Sequence, residues 1–370
     1  MFIYFLPILL LFLLSKYKIS SGKQWLIAIC LMLFLCFGYM TGSDWRIYEV
    51  DYTEGFKYRL VEPGYMLLSN MSSSIGINFW SFHILLKCVS FLCIISLIYK
   101  LHDKKNPNFA IAIWYASYGL YLFINCPFRN LIACGIGALS VISLLENKKS
   151  LFYILCVLAI SFHVSSVVLF ILPLCKFERF SSKFLVTLYL GLMVVLILGG
   201  TKFLVNILYS VLPSFLTSRL DFYSDSTGSV LSVGLIPRLI CLYLLMKYRS
   251  NIIIRNKYGS VVFSFAYASL LLSLIYYVFP MLFRTALFLS PFYVVAISFG
   301  LQESAPKYRQ LFRIAVSCIF IAIVFTTVRS VYYVPYTNII THAIKGELYD
   351  FDYRDNYNFL MSPFGGERED

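Results

Sequence analysis

The chain has 370 residues, of which 60% are hydrophobic and only 13% charged, and its mean hydropathy is +0.78. Soluble domains carry about 25% charged residues, so a soluble fold is excluded and a polytopic membrane protein is indicated. The net charge of +13 would suggest a nucleic-acid partner in a soluble protein; in a membrane protein it is read first as orienting charge, and no nucleic acid is expected.

Apolar runs occupy about residues 2–14, 25–40, 79–99, 109–126, 131–145, 151–161, 164–174, 184–199, 233–246, 261–278, 285–299 and 314–328. They predict an all-α integral membrane protein of about twelve transmembrane helices (10–13), forming a single membrane domain over residues 1–370. Several runs are shorter than the roughly 20 residues that cross hydrocarbon. The pair at 151–174 is therefore expected to form a broken or re-entrant unit with His163 at its turn. The first run has no basic region before it and no small-residue cleavage site before Lys16, so it is read as a retained helix. The ten cysteines lie almost entirely within apolar runs and show neither metal-ligand nor disulfide spacing.

The connecting loops alternate in charge. Those holding Lys16, Lys18 and Lys23, then Lys100 and Lys105, then Lys148 and Lys149, and later "MKYRSNIIIRNK" and "APKYRQLFR", are basic and face the cytoplasm by the positive-inside rule. The remaining loops, at about 41–78 and 201–232, then face outward with both termini and a tail at about 330–370. That face carries every acidic residue except Asp103, Glu146, Glu178 and Glu303. Chemistry that uses carboxylates is expected there. The outer segments are rich in Tyr, Asp, Asn and Ser, which suit a carbohydrate ligand, although Tyr and Trp also populate membrane interfaces.

The densest polar stretch is "GSDWRIYEVDYTEGFKYRLVEPGY", residues 42–65. Farther on, Arg129 follows Pro127, Arg238 follows Pro237 and Arg284 follows Pro280, each near the outward start of an apolar run. A helix N-terminus offers free N–H groups and partial positive charge, so an arginine there suits phosphate or pyrophosphate; the bland alternative is an arginine snorkelling to the interface. His163 is the one histidine at a break in an apolar run and suits proton transfer or donation to phosphate. His83, His102 and His342 do not cluster with it in sequence, so no metal site and no cofactor are expected. No phosphate loop or nucleotide fingerprint occurs, which argues against an ATP-driven transporter.

"GSDWRIYEVDY" followed by "EPGYMLL", then "FRNLIACGIGALSVISLLENKKS", then "ISFHVSSVVLFILPL" resembles the EpsG-type family, a branch of the Wzy-type polymerases of bacterial O-antigen and capsule. The resemblance runs through Asp44, Trp45, Tyr48, Glu62, Pro63, Gly64, Arg129, His163 and Ser165; the second half matches by architecture and Arg284. Trp45 stands where tyrosine is commoner. The resemblance implies a GT-C-like glycosyltransferase of the bacterial inner membrane that joins oligosaccharide repeat units carried on undecaprenyl pyrophosphate, without metal or nucleotide sugar. In that reading Arg129 and Arg284 neutralise the departing pyrophosphate, with Arg238 as a third contact. Asp44, Asp51 or Glu62 supplies the base or steadies an oxocarbenium-like sugar, His163 is the competing base, and Trp45, Arg46 and Tyr48 bind saccharide. A chain-length regulator is a possible partner of the tail. The alternatives are a lipid-linked oligosaccharide flippase, whose charges would line a central cavity, and an O-antigen ligase. The bland alternatives also stand: Asp44 after Gly-Ser caps the next helix, and Glu62 before Pro-Gly precedes a turn.

Overall fold

The computed structural model describes residues 1–56, 61–103, 105–200 and 234–366. The expected outer loop at about 201–232 lies outside the described residues. The chain gathers into two compact units, Met1–Leu169 with Ile314–Asp370, and Phe170–Arg313, where the hydropathy pattern alone reads as one membrane domain. Where they are described, the twelve apolar runs are helical over most of their length, the run at 25–40 giving way to a two-residue strand at Gly38–Tyr39, because a backbone in hydrocarbon must satisfy its own N–H and C=O groups.

In the first unit, α1 (Phe5–Leu14) and α2 (Ser21–Cys36) lead to a two-residue strand, β1 (Gly38–Tyr39), and two short outer-loop helices, α3 (Trp45–Glu54) and α4 (Pro63–Ser74). α5 (Phe79–His102) follows. Its start is fixed by Asn78, whose Oδ1 accepts from the Ser81 N–H at 2.8 Å. α6 (Asn108–Trp114) continues through π-helical turns to Asn125, and α7 (Phe128–Leu145) and α8 (Lys149–Phe162) complete this part. The links between these helices put Asp103, Cys126 and Asn147 at positive φ; Asp and Asn tolerate the left-handed region by bonding locally.

α8 stops at Phe162, His163 is extended at φ −160° and ψ 126°, and a 3-10 helix covers Val164–Leu174. The break therefore falls on the histidine. The second unit contains α9 (Ser182–Val195), α10 (Leu235–Lys247), α11 (Arg249–Arg255), α12 (Gly259–Val278) and a helical stretch, α13 (Phe283–Glu303). α12 is tied to α9 by the Tyr267 hydroxyl, which donates to the Leu185 carbonyl at 2.6 Å.

α14 (Pro306–Thr327) precedes the tail, which forms β2 (Thr337–Asn338), α15 (Ile339–Lys345) and α16 (Phe351–Met361). β2 pairs antiparallel with β1, Gly38 opposite Asn338 and Tyr39 opposite Thr337. Tyr4 donates to the Tyr333 carbonyl at 2.5 Å, and Tyr336 stacks on Phe34 at 4.7 Å. The tail is thus fastened back onto the start of the chain. Among the described residues five helices, α5, α7, α12, α13 and α14, are long and apolar enough to cross a bilayer; α1, α2, α8 and α9 belong to shorter apolar helices.

Candidate functional site

The charged stretch after β1 begins with a tight approach of backbone to backbone. Gly42 has φ +91°, and a Cβ there would collide with the Ile124 carbonyl oxygen. Only glycine meets both conditions without strain. Its N–H donates to the Tyr332 carbonyl at 2.8 Å, and the Ser43 hydroxyl sits 2.8 Å from Asn125 Oδ1 and 2.6 Å from Asp44 Oδ1. Asp44 stands at the N-cap of α3 yet makes no side-chain cap bond. Its carboxylate is held by Ser43 instead.

From Asp44 the helix carries Tyr48 and Asp51 on the same face, at spacings of four and three; both are buried. The Tyr48 ring meets Tyr65 edge-on at 5.7 Å and Phe128 at 5.6 Å, and Tyr65 meets Phe128 at 5.8 Å. Such edge-to-face pairs contribute about 0.5–1.5 kcal/mol each beyond area burial. Each ring belongs to a different element, so the cluster draws three chain segments together. Tyr65 follows Glu62 by three residues, and Phe128 precedes Arg129.

There Arg129, in the first turn of α7, pairs through Nη1 with Glu62 Oε2. Glu62 is the N-cap of α4 and also makes no cap bond. Tyr48 and Arg129 are within mutual hydrogen-bonding reach. Burial raises the Tyr48 phenol above its ordinary value, against the pull of the Arg129 guanidinium, so the hydroxyl stays protonated at neutral pH. Arg129 Nε is buried with no hydrogen-bond partner among the described residues.

His163 reaches the same place from α8. α4 rests directly on the end of that helix: a Cβ on Gly64 would strike the Ser161 side chain and carbonyl. The His163 Nδ1 accepts from the Ser165 N–H at 3.2 Å and lies 3.5 Å from Asn130 Nδ2, the neighbour of Arg129. A ring nitrogen that accepts from a backbone amide carries no proton of its own, which assigns the neutral tautomer with its proton on Nε2.

The opposite side of α3 has other partners. Arg46 donates through Nε to Asp355 Oδ1 at 2.6 Å and through Nη2 to the Asp355 carbonyl at 2.8 Å, while its Nη1 reaches the Gly42 carbonyl at 2.7 Å. Glu49 is gripped by both terminal nitrogens of Arg354, Nη2 at 2.9 Å. Both guanidinium groups lie against Trp45, at 4.5 Å for Arg46 and 5.6 Å for Arg354, and Trp45 is 1% exposed. Trp45 and Arg46, expected from sequence among the saccharide contacts, are here engaged in docking α16. Arg354, Asp355, Glu49, Asn125 and Asn130 were not singled out in the sequence. The signal available was complementary charge: Arg46 and Glu49 three apart in one segment, Arg354 and Asp355 adjacent in another.

In the second unit, Arg238 lies in the first turn of α10, donating to the Gly234 carbonyl and to the Tyr276 hydroxyl, with the Tyr277 ring 5.1 Å away. Arg284 opens α13 four residues after Pro280. Among the described residues no three His, Cys, Asp or Glu side chains gather in a metal-binding cluster. The model of the EpsG family matches residues 23–338 of the chain. Neither a curated protein nor a solved structure matches it.

Proposed function

The chain belongs to the EpsG family of membrane proteins linked to polysaccharide biosynthesis, and on that premise we propose that it is a GT-C-like polymerase of lipid-linked oligosaccharide repeat units, working at the outer face of the bacterial inner membrane. The hydroxyl oxygen of one unit bonds to the anomeric carbon of the other, the bond from that carbon to the pyrophosphate oxygen breaks, and undecaprenyl pyrophosphate leaves. The hydroxyl proton passes to a carboxylate of the site.

The observation that carries this reading is the convergence of Arg129, Glu62, Tyr48 and His163 from four separate chain segments. An arginine at a helix N-terminus suits the charge that develops on a departing pyrophosphate. That guanidinium is paired with Glu62. An incoming pyrophosphate competes for the same nitrogens, and its binding frees the Glu62 carboxylate to take the acceptor's proton, so base and electrostatic partner become available together. The Nε2 proton of His163 supplies a hydrogen bond to a phosphate oxygen. Arg284 and Arg238, both in the second unit, are carried by the family resemblance alone as residues suited to phosphate. Asp44 and Asp51, on the Tyr48 face of α3, steady positive charge at the sugar.

The test is to delete the gene and display the host's surface polysaccharide on a gel, complementing with wild type and with Arg129→Ala. Collapse of the ladder to a single repeat unit, restored by wild type alone, is the result expected of a polymerase. Loss of the single repeat as well would mean a flippase or ligase and would overturn the proposal.

A further inference from the structure

A second feature of the first unit lies on the far side of α3 from Arg129. A groove of about 1230 Å³ runs between α5 and the tail, larger than the roughly 300–1,000 Å³ of sites for drug-sized ligands. Its two ends differ in chemistry. At the N-terminal end of α5 it is lined by Trp80 and Tyr349, with Tyr39 behind them at 1% exposure, by Thr53, Asn78 and Ser81, and by the paired Glu49 and Arg354. The Trp80 indole N–H there is buried with no partner among the described residues, and Trp80 and Tyr39 meet edge-on at 4.8 Å. Aromatic faces beside neutral hydroxyl and amide groups suit a saccharide.

Farther along, the lining becomes Ile84, Leu85 and Cys88 on α5, with Ile340, Ile344 and Leu348 from the tail. Leu85 is 56% exposed and Ile344 81%, so this end is open and apolar. Ile84, Leu85 and Cys88 follow the first residue of α5, Phe79, by five to nine positions and so lie about 8–14 Å along the helix from its start at 1.5 Å per residue. That is the depth of the outer half of a hydrocarbon core about 30 Å thick. A ligand fitting both ends has a hydroxyl-rich head at the interface and a hydrocarbon chain alongside α5.

We propose that this groove is the acceptor site, holding a polyprenyl-linked saccharide with its sugars against Trp80 and Tyr349 and its chain against Leu85, Cys88 and Ile344. The assignment rests on the polymerase reading, in which two lipid-borne saccharides meet. α3 is the shared wall: Tyr48 faces Arg129, while Glu49, Tyr52 and Thr53 line the groove.

The experiment uses the full-length protein in nanodiscs and a polyprenyl pyrophosphate disaccharide bearing a diazirine in its prenyl chain. Irradiation should label peptides spanning Leu85–Cys88 or Ile340–Leu348, in wild type and equally in Arg129→Ala, whose labelling does not depend on turnover. Trp80→Ala and the groove-filling Ser81→Trp should each lower labelling about tenfold relative to wild type. Labelling confined to other segments, or unchanged in Ser81→Trp, overturns the proposal. So does a diazirine phosphatidylglycerol that labels the groove and is not displaced by the disaccharide lipid, which would make this a site for bulk lipid. Polymer formed by a protein whose groove is never labelled refutes the groove alone; a labelled groove in a host whose ladder does not collapse refutes the polymerase reading and the acceptor role with it.

Discussion

On one side of α3, Tyr48 meets Arg129 with Asp44 close by; on the other, Arg46 and Glu49 meet Asp355 and Arg354 of α16. Both sides draw on the same ten-residue helix and both end in arginine–carboxylate pairs. They differ in burial and in completeness. The tail side is closed: Glu49 and Arg354 are 7% exposed as residues, each terminal guanidinium nitrogen has an oxygen, and aromatic rings cover the pair. On the Arg129 side, the side chains of Arg129 and Glu62 keep 16% and 20% exposure, and Arg129 Nε has no hydrogen-bond partner among the described residues. A completed ion pair is a fastening. An incomplete one beside a helix N-terminus is a place where a ligand's charge can enter.

The largest effect should therefore come from breaking the closed side. Arg354→Ala leaves Glu49 as a buried, uncompensated carboxylate, which costs about 3–5 kcal/mol, measured as a lowered unfolding midpoint of the solubilised protein. Removing both charges in Glu49→Gln with Arg354→Gln should recover most of that loss, since a neutral pair demands no counter-charge. A double variant as unstable as the single one would show that the pair is not what holds α16.

Next in size is Arg129→Ala. Loss of one preorganised donor to a developing anion lowers turnover about 10²–10³-fold, and here it should do so with a much smaller change in stability than Arg354→Ala, because Glu62 can rehydrate. Polymer of wild-type length in this variant would remove Arg129 from the chemistry. His163 sharpens the same side. If Nε2 donates, His163→Gln, whose amide reaches a similar position, should keep turnover within about tenfold of wild type, while the shorter His163→Asn falls about a hundredfold. Equal loss in both would mean that the ring acts as a base.

Much of this arrangement could be read from sequence because it depends on local chemistry. Hydropathy located the long apolar helices but not the short polar ones, α3, α4, α11, α15 and α16; Pro127 marked the start of α7, and the histidine in "ISFHVSS" marked a break because a polar ring between two apolar runs ends the buried surface on either side. The partners were not legible. Glu62 and Arg129 are 67 residues apart and Glu49 and Arg354 are 305 apart, and no periodicity reports which distant charges meet. Trp45 illustrates the cost: an aromatic after an acid in an outer loop reads as a sugar platform, yet here it is a buried plate against two guanidinium groups. Arg238 and Arg284 matched the arginine-after-proline pattern as well as Arg129 did, and the pattern contains nothing about the partners each arginine meets.

The smallest effect tests whether burial, rather than the mere presence of an ion pair, makes the tail side strong. Glu146, between α7 and α8, accepts from Lys100 and Lys148, so on paper it is as well supplied with cations as Glu49. Those two lysines hold its carboxyl down to about 2. A carboxyl depressed in the folded state adds stability above its unfolded value near 4.5, and that stability is lost only as the pH falls from there toward 2. The group is solvent-exposed, however, where water and salt screen its partners and such pairs contribute little. Glu146→Gln should thus leave the unfolding midpoint at pH 7 unchanged within error, and the small difference from wild type should shrink further below pH 4. A loss at pH 7 comparable to that of Arg354→Ala would mean that the number of cationic partners, and not their enclosure, sets the strength of these pairs, and the contrast between the two sides of α3 would have to be explained by geometry alone.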